Sequence, residues 1–176
     1  ISDPRQALLI SVLRALEASG SEYALIHGAA NTWPEVDSDV DLAFAEPPPQ
    51  VLEPLLQRLV SSGAMQLVQR LHYEVPHGYY YVLRVAGKQN LFLHLDCLYD
   101  PVGINRYHLP TPLLLEGAYG TPFGRRVDQH RQALYLLMKR AFKGRLSAEG
   151  LDALRKHYSA APQALWMEVQ RWFGPE

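Results

Sequence analysis

The chain has 176 residues, 48% of them hydrophobic and 20% charged, with a formal net charge of -1. That supplies the core of one ordinary domain, or of one domain with a small helical appendage, and no apolar run is long enough to span a bilayer. The near-zero charge lacks the basic field of a nucleic-acid binder, so neither nucleic acid nor membrane is an expected partner. A single cysteine, Cys97, excludes an internal disulfide framework and suits a reducing, cytoplasmic setting. No leading basic-then-apolar segment suggests secretion. Because the chain begins at Ile1 and stops at Pro175-Glu176, a trimmed protein or one domain of a longer one is expected.

In chain order, Leu8, Leu9, Val12, Leu13 and Leu16 recur at helical spacing over residues 4–19, and Gly20 is the expected stop. Tyr23 to His27 reads as a short apolar strand running into a turn-rich loop, and Asp39 to Ala45 as the next strand. Pro47-Pro48-Pro49 breaks the chain and can open a helix, whose apolar face over residues 51–60 is Leu52, Leu55, Leu56, Leu59 and Val60. Residues 65–75, 79–85 and 91–99 read as a strand meander, separated by Pro76-His77-Gly78 and by Gly87-Lys88-Gln89-Asn90. From about Asp128 the pattern is helical: Leu134, Leu136, Leu137 and Ala141 on one helix, Leu151, Leu154 and Tyr158 on a second, Leu165, Val169 and Phe173 on a third. The expected fold is α+β: a mixed, largely antiparallel sheet with helices on one side, residues 1–110, then a helical C-terminal region, residues 111–176.

The chemistry concentrates between Ala24 and Phe44. Side chains alternate along a strand, so Asp39 and Asp41 share one face while Val40, Leu42 and Phe44 enter a core. Adjacent carboxylates repel, and a hard divalent cation with oxygen ligands is the usual compensation. Gly28 opens a turn whose backbone can approach phosphates.

Gly28, the loop, Ser38-Asp39-Val40-Asp41-Leu42 and a third acid, Asp96, on the later apolar run from Leu91 to Tyr99 together resemble the polymerase-beta-like nucleotidyltransferase superfamily. The resemblance covers about residues 21–99. It implies a nucleotidyltransferase fold, magnesium (two ions) as cofactor, and a nucleoside triphosphate, ATP foremost, as substrate. Asp39, Asp41 and Asp96 would be the catalytic and metal residues. Gly28, Ala29, Asn31, Thr32, Ser38 and Lys139 would bind the nucleotide. Ala29 departs from the serine or glycine usual there and cannot donate a hydroxyl hydrogen bond, which leaves loop N–H groups with Asn31 or Thr32 as donors.

Plainer readings stand beside these. Asp39 and Asp41 also suit a solvated strand face, Asp37 and Asp100 suit turns, and Gly28 suits an ordinary turn. His27 and His94, set in apolar runs, read as core histidines, although His94 shares a face with Asp96, which leaves an auxiliary role near the substrate open. Cys97 alternates away from Asp96 and reads as a small buried hydrophobe. The cations Arg125, Arg126, Arg131, Lys139, Arg140 and Lys143 suit a solvated helix, with Lys139 the choice to reach a triphosphate. Tyr79, Tyr80, Tyr81, Tyr99 and Tyr107 suit strand packing better than stacking on a base. No histidine or cysteine spacing suits zinc, and Ser38 lacks a glycine elbow. Three functions follow: transfer of a nucleotide to a small sugar-like or antibiotic-like acceptor, adenylylation of a protein partner by an antitoxin-type enzyme, or nucleotide binding without catalysis.

Overall fold

The computed structural model describes residues 3–27, 36, 39–72, 77–104 and 109–144, with scattered positions from 148 to 170. The first helix, α1 (Pro4–Ser19), starts where the Asp3 carboxylate accepts the Arg5 N–H at 2.9 Å, and it ends at Gly20 with a φ of 71°. A side-chain cap and a left-handed glycine satisfy the backbone groups that helix ends leave unpaired. Strands β1 (Tyr23–His27) and β2 (Val40–Phe44) precede helix α2 (Pro48–Ser61), which opens on the proline run as expected.

The meander forms as β3 (Met65–His72), β4 (Gly78–Val85) and β5 (Phe92–Leu98). Three short elements had no reading from sequence: α3 (Thr111–Leu115), β6 (Tyr119–Thr121) and β7 (Gly124–Arg126). Pieces of three to five residues are too short to show a period. Helix α4 (Gln129–Phe142) begins at Asp128, whose carboxylate accepts the His130 N–H at 2.9 Å. The second and third C-terminal helices expected from sequence fall largely outside the described residues.

All seven strands join one open mixed sheet in the order β3-β4-β5-β2-β1-β7-β6. The β1/β2, β3/β4, β4/β5 and β6/β7 pairs are antiparallel, whereas β2/β5 and β1/β7 are parallel. Residues 119–126, assigned from sequence to the helical C-terminal region, thus extend the sheet of the first 110 residues. Gly124 allows this docking of β7. Its φ is 132°, and a Cβ there would lie 2.6 Å from the Tyr23 hydroxyl.

Helices cover both faces of the sheet, not one. On the first face α1 and α2 bury Leu9, Val12, Leu16, Leu52 and Leu56 against Leu25, Val40, Leu42, Tyr81, Leu83, Leu95 and Cys97. On the second, α3 and α4 bury Leu113, Leu114, Ala133 and Leu134 against Ala24, Ile26, Ala43 and Leu98. Strands β1 and β2 lie between both layers and are almost continuously buried, which explains why they read as unbroken apolar runs apart from the acids. Among the described residues, no helix is long and apolar enough to cross a membrane.

Candidate functional site

The acidic residues lie on the second face. The alternation read from sequence holds: Val40, Leu42 and Phe44 enter the first core, and Asp41 points the other way, beside Ala43. In the parallel β2/β5 ladder the partner of Asp41 is Asp96. Register therefore sets the two carboxylates side by side on adjacent strands, a spacing of about 5 Å between β-carbons. Asp39 precedes β2 on the same side; its Oδ1 lies 3.1 Å from Nδ1 of His94, two residues before Asp96 on β5. Tyr80, paired with Asp96 across the β4/β5 ladder, hydrogen-bonds Asp39 and meets the His94 ring edge-on at 5.7 Å.

Helix α4 closes the site from above the sheet. Gln132, Tyr135 and Lys139 recur at three- and four-residue spacing and so share a face. Gln132 anchors the helix by donating from Nε2 to the Ile26 carbonyl at 2.6 Å. The Tyr135 hydroxyl donates to Asp41 Oδ2 at 3.2 Å, and Lys139 Nζ donates to the same oxygen at 2.8 Å. Nζ also lies 3.8 Å from Asp96 Oδ2 and 5.4 Å from the Tyr135 ring centre.

The acids are not equivalent. Asp39 is 53% exposed, Asp96 20% and Asp41 2%. Burial pushes Asp96 up to about 6; the negative charge of Asp41 adds to the rise, Lys139 opposes it, and Asp39 raises it further. The Tyr80 hydroxyl is pushed up to about 12, first by burial and then by Asp39. Burial and then the carboxylates of Asp41 and Asp96 hold the Tyr135 phenol well above its usual range. Both hydroxyls remain protonated donors. The cluster as a whole is short of positive charge.

That shortage is the test of whether a metal suits these residues. Among the described residues, no group of three His, Cys, Asp or Glu side chains is gathered tightly enough to hold an ion as it stands. The donors are nevertheless all carboxylate oxygens, and Asp96 resists ionisation beside Asp41. That donor chemistry fits a hard divalent cation such as magnesium.

The other residues singled out from sequence sort clearly. Gly28, Ala29, Asn31, Thr32, Asp37, Ser38 and Tyr107 lie outside the described residues. His27 is exposed at the end of β1, and His94 is half-exposed and bonded to Asp39; neither is a core histidine. A polar end-of-strand position and a carboxylate partner account for both departures. Cys97 is fully buried in the first core. Asp100 makes the expected turn, its Oδ1 accepting the Gly103 and Ile104 N–H groups at 2.8 and 3.0 Å. Of the cations, Arg131 pairs with Glu116, whereas Lys139 faces the acids. Tyr81 is buried and donates to Glu53 at 3.1 Å, a packing role.

Sequence reasoning missed Tyr135 and Tyr80 as members of the site. The signal for Tyr135 was its four-residue spacing from Lys139. Tyr80 was singled out only as a packing or stacking aromatic, because its relation to Asp96 exists only through the β4/β5 ladder. Comparison with models of known protein families gives no match, and a search of the curated proteins gives none.

Proposed function

We propose that this chain is a metal-dependent nucleotidyltransferase that moves a nucleoside monophosphate from a nucleoside triphosphate, ATP foremost, to a small sugar-like or antibiotic-like acceptor. The observation that carries this reading is Asp41 set beside Asp96 across β2 and β5, with Asp39 on the same side and the Lys139 ammonium between the strands and α4. Asp39, Asp41 and Asp96 would hold magnesium, which when bound supplies positive charge to the reacting phosphates.

The chain's own residues do the remaining work by placement. An acceptor hydroxyl oxygen forms a bond to the α-phosphorus, the bond to the bridging oxygen breaks, and pyrophosphate leaves. Asp96, on the strand beside Asp41, is the carboxylate suited by position to take the hydroxyl proton. Tyr80 and His94 orient Asp39. Helix α4 covers Asp41, whereas Asp39 is half-exposed and can meet an acceptor from solvent.

One observation favours a second reading, a nucleotide-binding module without turnover. Lys139 already neutralises Asp41, so the cluster has a protein cation of its own. Melting temperature against each of the four nucleoside triphosphates, with and without magnesium, tests the leading reading, because ligand that binds only the native state raises it. A magnesium-dependent rise that is lost in Asp39→Asn, together with pyrophosphate release, is the expected result. A rise without pyrophosphate release across a panel of sugar-like and antibiotic-like acceptors selects the second reading. No rise with any nucleotide rejects both.

A further inference from the structure

Lys139 stands where a cation shared by Asp41 and Asp96 would stand. Its Nζ is 2.8 Å from one carboxylate and 3.8 Å from the other, and both acids are largely withdrawn from water. The approach is built rather than accidental. Gln132 pins α4 to the Ile26 carbonyl, and Tyr135 holds Asp41 Oδ2 by a second hydrogen bond while its ring lies 5.4 Å from the ammonium. An ammonium and a divalent ion at one carboxylate pair repel strongly at such distances, so one excludes the other.

We propose that Lys139 is an exchangeable counter-ion, which a divalent metal must displace from Asp41 and Asp96, and that Tyr135 is the positioning residue that keeps Asp41 in place through the exchange. This rests on the metal-site reading given above. The exchange breaks no covalent bond: the lysine–carboxylate contacts are lost, metal–carboxylate contacts replace them, and the ammonium turns outward, free for an anion that arrives with the metal. Metal alone therefore binds weakly, and metal with nucleotide binds better than either does separately. Tyr135 needs no such movement, because a hydroxyl donor carries no charge to expel.

The test is manganese binding to the whole chain, followed by the paramagnetic signal of the free ion. Lys139→Met should bind manganese about tenfold more tightly than the wild type, since it removes a unit charge competing at contact distance. Lys143→Met is the control: its charge also reaches Asp96, but the residue is exposed on the next turn, so its affinity should stay within about twofold. Tyr135→Phe should weaken manganese binding in the wild-type background and also in Lys139→Met, an effect that a role confined to holding the lysine would not produce. Equal tightening in Lys139→Met and Lys143→Met, or none in Lys139→Met, overturns the exchange.

A second measurement needs no variant. Acylation of Lys139 by an amine-reactive reagent, read by peptide mass, should accelerate when manganese is added; an unchanged or slower rate overturns the proposal. Asp41→Asn separates the two levels. If it binds manganese as the wild type does, the metal-site reading beneath the proposal fails. If it loses binding while Lys139→Met binds like the wild type, only the exchange fails.

Discussion

The two faces of the sheet are built on opposite terms. The first is a dry apolar layer, in which α1 and α2 meet alternate residues of β1, β2, β4 and β5 that are almost wholly buried. The second is apolar under α3 and the start of α4, but farther along α4 Tyr135 and Lys139 meet Asp41, and Asp96, His94, Tyr80 and the half-exposed Asp39 lie beside it. Adjacent residues of the same two strands serve both: Leu42 and Cys97 are buried in the first core, Asp41 and Asp96 lie in the candidate site. A strand's two-residue period lets the chemistry sit one residue away from the core without disturbing it. The lesson is that one pair of strands can be apolar on one face and carry clustered carboxylates on the other.

Substitutions can break that division, and the largest effect is expected on the second face. Asp39→Asn should reduce metal-dependent turnover by about a thousandfold or more, roughly 4 kcal/mol of transition-state stabilisation, with an unchanged melting temperature because the residue is half-exposed. Full activity in this variant would show that the acids are an ordinary solvated face. Leu42→Ala, one residue from Asp41 but fully buried in the first core, should do the reverse. It should cost about 2–5 kcal/mol in denaturant unfolding, while the protein that remains folded keeps the nucleotide response proposed above.

Asp96→Asn sharpens the comparison through pH. Asp96 has its folded-state value raised to about 6 from 3.8, so the native state holds this proton more tightly than the unfolded chain does. Its penalty on stability is therefore absent below about pH 4, grows as pH rises from there, and is complete above about pH 6. A shift of this size corresponds to about 2–3 kcal/mol at most. The variant should accordingly unfold at a higher temperature than the wild type at pH 7.5, and the advantage should vanish near pH 4. An advantage that is the same at both pH values would mean that ionisation of Asp96 is not its source.

Asp41→Asn is not structurally silent, in contrast to Asp39→Asn. It leaves Lys139 and Tyr135 facing a neutral amide in a site only 2% exposed, and about 1–2 kcal/mol of stability should be lost, moderated by the nearby Asp96. The smallest effect belongs to the first face's rim. Arg70→Ala removes an exposed pair with Glu53 and should change unfolding free energy by less than about 1 kcal/mol.

The sites of these substitutions differ in how far they could be read in advance. The alternation around Asp39 and Asp41, and the burial of Leu42 and Cys97, follow from a period of two within a few residues. Helix α1 was legible to the residue at both ends, because Pro4 and Gly20 are punctuation that acts locally. The misreadings have one cause. His27 and His94 were judged from their apolar neighbours in the chain, but exposure at a strand end and a carboxylate 55 residues away decided their surroundings. The second helical layer escaped for the same reason: nothing in the spacing of α4 says which face of which sheet it will cover.

By itself the sequence determined the local elements longer than a few residues, the mixed α+β class, and the fact that two acids share a strand face. Those properties depend on dihedral preference and on periodicity, which operate between near neighbours. Only the tertiary structure decided that β5 runs parallel to β2 with Asp96 beside Asp41, that β7 docks on β1, and that Tyr135 and Lys139 meet an aspartate 94 and 98 residues earlier. Strand partners and register are chosen by burying both faces of the whole sheet at once, a condition that no short stretch of the chain contains.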